Sequence, residues 1–164
     1  MGLLTCHQEI CGVGWRLKNF ESRNHRVTPL ENRLRNIFGL PSSVYKGDIM
    51  RSICRCFIEP IFSLGRCYED TVPTIQKLKT LGFRVRAVSN TTWGSPAYLW
   101  REEIRRLGLD KYLDRLFFCR DVGWRKPAKP IFMYALRELG VDPSRCLFVG
   151  DDPRWNLRGP ERMV

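Results

Sequence analysis

Residues 83–92 read Phe83-Arg84-Val85-Arg86-Ala87-Val88-Ser89-Asn90-Thr91-Thr92. A short apolar run that stops abruptly in a cluster of small polar residues is the signature of a buried strand delivering a loop to a sheet edge. The flanks supply the fold class. Upstream, Val72, Ile75, Leu78 and Leu81 recur every three positions and end at Gly82, which predicts a helix with its C-terminal stop. Downstream, Gly94-Ser95-Pro96 opens an amphipathic helix through Leu107 that ends at Gly108. Arg115 to Cys119 is then a second strand, Pro127 to Leu139 a helix closed by Gly140, and Cys146 to Val149 a third strand running into Gly150-Asp151-Asp152. Short strands alternating with helices of about a dozen residues predict an α/β fold. The expected architecture is a Rossmann-like parallel sheet with right-handed crossovers and helices on both faces. Ligands bind such sheets beyond the carboxyl ends of the strands. Ser89-Asn90-Thr91, Arg120-Asp121 and Gly150-Asp151-Asp152 each follow a strand, so three polar loops are expected to converge there.

The first half has a different texture. Pro29 to Phe38 predicts one helix, and Ser42 to Phe62 is largely helical with a break expected at Pro60. No strand alternation shows between residues 20 and 70. The expected organisation is therefore an α/β core from residues 1–19 and 66–164, with a small helical cap inserted at 20–65.

Composition narrows the function classes. The 164 residues, 43% hydrophobic and 12% aromatic, suit one globular domain with a modest subdomain. No apolar stretch approaches the roughly 20 residues of a membrane span, and Met1-Gly2-Leu3-Leu4 does not begin a secretory signal. The net charge of +11 invites a nucleic-acid partner, but it is divided almost evenly between the two halves and contains no run of five or more like charges. A dispersed Arg-rich surface is the better reading, with no nucleic-acid or membrane partner expected. Seven cysteines without a C-x-x-C pair point to a reducing, cytoplasmic setting. Neither Cys54-Arg55-Cys56 nor Cys6-His7 with Cys11 has the two spaced pairs that zinc takes.

The chemistry-bearing residues are few. Asp151 and Asp152 end a strand with two hard oxygen donors, a place for Mg²⁺; their alternative is a turn with an Asp capping the next helix. Ser89, with Asn90 and Thr91, offers neutral donors to a phosphate. Lys126, in Gly123-Trp124-Arg125-Lys126-Pro127, precedes a helix whose N-terminal dipole favours anions. A lone Lys before Pro is commonly only surface, but three anion or metal features at successive strand ends are not a common coincidence.

On these residues, the stretch from about 66 to 160 resembles the haloacid dehalogenase superfamily, the aspartate-nucleophile phosphatases and related hydrolases. Ser89 in Val-Arg-Ala-Val-Ser-Asn-Thr matches the second motif of that family, Lys126 in Trp-Arg-Lys-Pro the third, and Gly150-Asp151-Asp152 the fourth. The resemblance implies Mg²⁺-dependent, phosphatase-like hydrolysis of a small phosphorylated molecule through an acyl-phosphate on an aspartate. It also implies that Ser89, Asn90, Thr91 and Lys126 hold the phosphoryl group, that Lys126 stabilises developing charge, and that Asp151 and Asp152 carry the metal.

The pattern is broken where it matters most. The first motif of the family is a strand followed by Asp-x-x-Gly-Thr-Leu, and this chain has no aspartate before Asp48. Its nearest match is Ile10-Cys11-Gly12-Val13-Gly14-Trp15-Arg16-Leu17, with Gly12 at the nucleophile position and Arg16 where Thr is expected. Asp48 falls in the helical block, and Cys11 has no His or helix N-terminus evident to activate it, so it reads as an incidental thiol. Asn156 stands where the fourth motif often has another carboxylate, and the chain is expected to end before the last strand and helix of the family. Besides a hydrolase, two alternatives stay open: a non-catalytic protein binding a phosphorylated ligand or another protein, and an incomplete reading frame of a hydrolase. Oligomeric state is not readable.

Overall fold

The computed structural model describes residues 25–44, 47–156 and 159–160. Helices α1 (Leu30–Phe38), α2 (Asp48–Leu64) and α3 (Thr71–Thr80) precede strand β1 (Arg86–Ser89). Helix α4 (Ala97–Arg106) leads to strand β2 (Arg115–Phe118), and α5 (Cys119–Val122), α6 (Lys129–Leu139) and α7 (Pro153–Asn156) complete the order. The strands are parallel, pairing Ala87 with Leu116, Val88 with Phe117 and Ser89 with Phe118, and α4 makes the crossover. This is mixed α/β with parallel strands, as the alternation of elements predicts.

The strand pleat sends successive side chains to opposite faces. Ala87, Leu116 and Phe118 join a cluster built on Leu99, Trp100 and Ile104 of α4, while Val88 packs with Cys119, Ile131, Phe132 and Phe148 on the α6 side. Helical packing therefore covers both faces of the pair, which explains why the strands carry no polar alternation. On α2 the buried residues are Met50, Cys54, Ile58 and Phe62, a stripe at i, i+4, i+8 and i+12. That stripe enters the same cluster as α4, with the Phe62 ring edge-on to Trp100 at 5.1 Å. Arg55 of α2 pairs with Glu102 of α4 across this contact, and Arg120 of α5 pairs with Glu31 of α1 at 2.8 Å.

Three sequence expectations change. The strand expected from Phe83 begins at Arg86, because Phe83 closes the α3 turn with its N–H on the Leu78 carbonyl. Val85 is meanwhile engaged by Asp114: its N–H donates to the Asp114 carboxylate at 2.8 Å, and its carbonyl accepts from the Asp114 N–H at 2.9 Å. Pro60 does not break α2, which continues to Leu64; Pro60 lies on the exposed side, where the carbonyl freed by its missing N–H can meet water. Cys146 to Val149 is irregular rather than a strand, with Leu147 and Val149 exposed, since no ladder partner for it is present among the described residues. No helix among the described residues is long and apolar enough to cross a membrane.

Candidate functional site

The loops after β1, after β2 and after residue 149 meet at the carboxyl ends of the strands, and Lys126 is their junction. Its ammonium donates to the Asn156 side-chain oxygen at 2.7 Å, and the Asn156 amide donates in turn to an Asp151 carboxylate oxygen at 3.1 Å. A neutral amide thus joins cation and carboxylate, one polar face toward each. Asn156 is buried, and Gly150 permits it: a Cβ on Gly150 would stand 2.4 Å from the Asn156 Cβ and Cγ. The Lys126 ammonium also lies 5.7 Å from the centre of the Phe148 ring. Burial pushes Lys126 down to about 8, against the opposing pull of Asp151, Cys119 and Asp152.

The backbone beneath Lys126 is clamped by the β1 loop. The Asn90 side chain accepts from the Lys126 N–H at 2.7 Å and donates to its carbonyl at 3.2 Å. Thr91 is buried, with its N–H donating to the Cys119 sulfur at 3.2 Å and its hydroxyl 3.5 Å from the same atom. Ser89, the last residue of β1, donates its hydroxyl to the neighbouring Asn90 carbonyl at 3.1 Å. Asn90 and Thr91 therefore engage the chain itself, and so does the Ser89 hydroxyl, which would have to leave the Asn90 carbonyl to donate to an incoming oxygen.

Asp151 and Asp152 diverge. Asp151 is exposed beside Asn156, whereas Asp152 accepts from the Arg154 N–H at 2.9 Å and from its guanidinium at 2.9 and 3.2 Å. Those bonds hold the Asp152 carboxyl below its ordinary range. No group of three or more His, Cys, Asp or Glu gathers among the described residues. Mg²⁺ commonly takes only one or two protein carboxylates and completes its shell with water and substrate phosphate. Asp151 fits that limited role, with one oxygen held by Asn156. Gly12, Cys11 and Arg16, on which the nucleophile question turns, lie outside the described residues.

Sequence reading caught Asn156 only as a departure from a motif, not as the bridge it is. Its position was the signal: it falls where the fourth motif often carries an acid. Asn90 as a clamp and Cys119 as a support left no mark in the sequence beyond their nearness to strand ends.

The family profile described as haloacid dehalogenase-like hydrolase matches residues 16–162. The chain belongs to this family. Members are typically Mg²⁺-dependent. A glyceraldehyde 3-phosphate phosphatase of Methanopyrus kandleri is 33% identical over 101 residues, covering 62% of this chain and 42% of that protein. An (S)-2-haloacid dehalogenase 4A of Burkholderia cepacia is 33% identical over 92 residues, covering 56% and 38%. Among solved structures, a HAD phosphatase from Thermococcus onnurineus superposes with a TM-score of 0.59 at 25% identity, covering 82% of this chain and 55% of that one. The chain thus spans about two fifths of the length of these curated relatives and about half of that solved chain.

Proposed function

We propose that the site binds the phosphoryl group of a small phosphorylated molecule, with sugar phosphates the leading class, and serves phosphatase-like hydrolysis. The observation that carries this reading is the partly buried Lys126 ammonium, locked by Asn90 at its backbone and by Asn156 at its tip. A desolvated cation held in place offers a phosphate far more than a solvated surface lysine does. Ser89 adds a neutral hydroxyl at the end of β1, while Asn90 and Thr91 keep the loop and Lys126 in register. Asp151 is the residue that would hold Mg²⁺, which would offset phosphate charge when bound, while the Asp152 carboxylate is taken up by Arg154. Helices α1 and α2 take the part of a cap, the Phe57 ring of α2 meeting Trp93 of the β1 loop at 5.1 Å. The phosphatase relatives support the substrate class.

The covalent route of the family needs a carboxylate to attack phosphorus, expel the alcohol and then lose phosphate to water. Gly12 has none. That one residue favours a second reading, in which the site binds a phosphorylated ligand without turning it over. Phosphate release from para-nitrophenyl phosphate with Mg²⁺, measured for the wild type, Gly12→Asp and Lys126→Ala, separates the two. Turnover by the wild type, lost in Lys126→Ala, supports the hydrolase. Turnover only in Gly12→Asp supports a binding scaffold lacking its nucleophile. Folded proteins that neither turn over nor bind inorganic phosphate in a calorimeter overturn both.

A further inference from the structure

Strand β2 has a neighbour on one side only: among the described residues the sheet is β1 beside β2, and the outer edge of β2 is unpaired. A groove of about 420 Å³ runs along that edge. Its lining includes five successive residues, Leu113 to Phe117, together with Arg101 of α4 and with Tyr134 and Glu138 of α6. Helix α4 covers one face of the pair and α6 the other, with the Tyr134 ring edge-on to Phe117 at 5.7 Å. A groove that touches both helices and a run of β2 straddles the edge of the strand, and the edge toward β1 is already filled. Phe117 and Phe118 are buried, so the open ladder belongs to an apolar strand, which is a template for pairing with another.

We propose that this edge is a self-association surface, on which two copies of the chain pair β2 antiparallel about a twofold axis and join their sheets into one. The charges along the groove select a second copy as the occupant. At the start of β2 stand Arg115 and the carboxylates of Asp110 and Glu138, all exposed and with no side-chain hydrogen bond or ion pair among the described residues. Glu138 belongs to this end because its carbonyl accepts from the Arg86 guanidinium at 3.4 Å, and Arg86 is opposite Arg115 in the ladder. The Asp114 carboxylate is taken up by Lys79 and the Val85 N–H. At the far end Asp121 folds back onto the strand, and its Oδ2 accepts from the Phe118 N–H at 2.9 Å and from the Arg101 guanidinium at 2.6 Å. The other oxygen, Oδ1, has no hydrogen bond among the described residues. Antiparallel pairing lays the start of one strand beside the end of the other, which brings Arg115 to the partner's Asp121 and the carboxylates of Asp110 and Glu138 to the partner's Arg101. Twofold symmetry makes each contact twice and closes the dimer. A parallel arrangement would set like ends together. The proposal does not rest on the phosphate-binding reading, since Ser89, Lys126 and Asp151 take no part in the groove.

The test is sedimentation equilibrium of the full chain across about 1–100 µM, the range in which a short interface of this kind associates. A monomer–dimer equilibrium is expected, with the amides of residues 113–118 exchanging more slowly with deuterium as the dimer fills. Arg115→Glu sets a like charge against Asp121, and Glu138→Arg sets one against Arg101. Each should weaken association by about tenfold or more while leaving the thermal melt at low concentration in place. Leu147→Asp, at an exposed apolar side chain outside the groove, should leave association unchanged. A chain that stays monomeric up to about 100 µM overturns the proposal. So does a dimer that survives both charge reversals, or one that Leu147→Asp dissociates, since association would then belong to the Leu147 face. Exchange at residues 113–118 that does not slow on dimer formation overturns it as well.

Discussion

Lys126 should leave its mark on the pH dependence of stability. Burial brings its pKa in the folded chain to about 8 from an ordinary 10.5. Between these values the unfolded chain binds the proton and the folded chain does not, so stability rises with pH across that window. At 1.36 kcal/mol per pH unit the full excursion is about 3 kcal/mol, absent below pH 8 and complete above pH 10.5. Urea unfolding of the wild type and Lys126→Met at half-unit steps from pH 7 to 11 isolates it. Wild-type stability minus that of the variant should climb across the window. Cys54 works in the opposite direction. It is fully buried, and burial pushes its thiol up to about 12 from 9.0, with Glu31 adding to the rise. The unfolded thiol ionises first, so wild-type stability should fall by about 4 kcal/mol from pH 9 to 12. Because Cys54 is in both proteins, it cancels in the difference, and Cys54→Ala should lose that decline. A difference curve that stays flat or falls between pH 8 and 10.5 refutes the account of Lys126 as a desolvated ammonium.

Other substitutions probe the supports. In Gly94→Ala the new Cβ would strike the Thr28 carbonyl oxygen at 2.2 Å and sit at a φ of +69°, so thermal denaturation should show a loss of roughly 3 kcal/mol. Ile58→Ala, at 0% exposure in the stripe joining α2 to α4, should cost about 2–5 kcal/mol in urea unfolding. An effect below about 1 kcal/mol there would mean that α2 does not share the core. Asn90→Ala removes both bonds to the Lys126 backbone, so it should lower stability by roughly 1–3 kcal/mol and weaken binding of inorganic phosphate, measured by calorimetry.

The parts of the fold that were legible in the sequence are those marked by local chemistry. Gly82, Gly108 and Gly140 stop helices where a positive φ or a tight turn is required, and the apolar runs between them identified β1 and β2 because each face of the pair sends side chains into an apolar cluster. What depends on partners far along the chain was not legible. Cys146 to Val149 has the composition of a strand, yet a strand exists only with a ladder beside it. Pro60 has the composition of a break, yet the helix persists because Phe62 beyond it is drawn into the cluster around Trp100. The contact of α2 with α4 was equally invisible, since the 50, 54, 58, 62 stripe says that a face is buried but not what buries it.

Asn156 shows why a missing carboxylate need not mean a missing function. A carboxylate at that position would set two like charges about 3 Å apart against Asp151, a repulsion of about 1 kcal/mol even with the dielectric of water and several times that at a partly buried site. Such a pair is tolerable only with a cation between its members. The amide removes the repulsion, donates to Asp151 and still accepts from Lys126, so the three side chains form a link that is complete by itself. The change of one atom therefore weakens the demand for metal while keeping Lys126 aimed. On the proposed phosphate-binding reading, it makes Lys126, rather than the acidic pair at 151 and 152, the residue on which recognition of phosphate would depend.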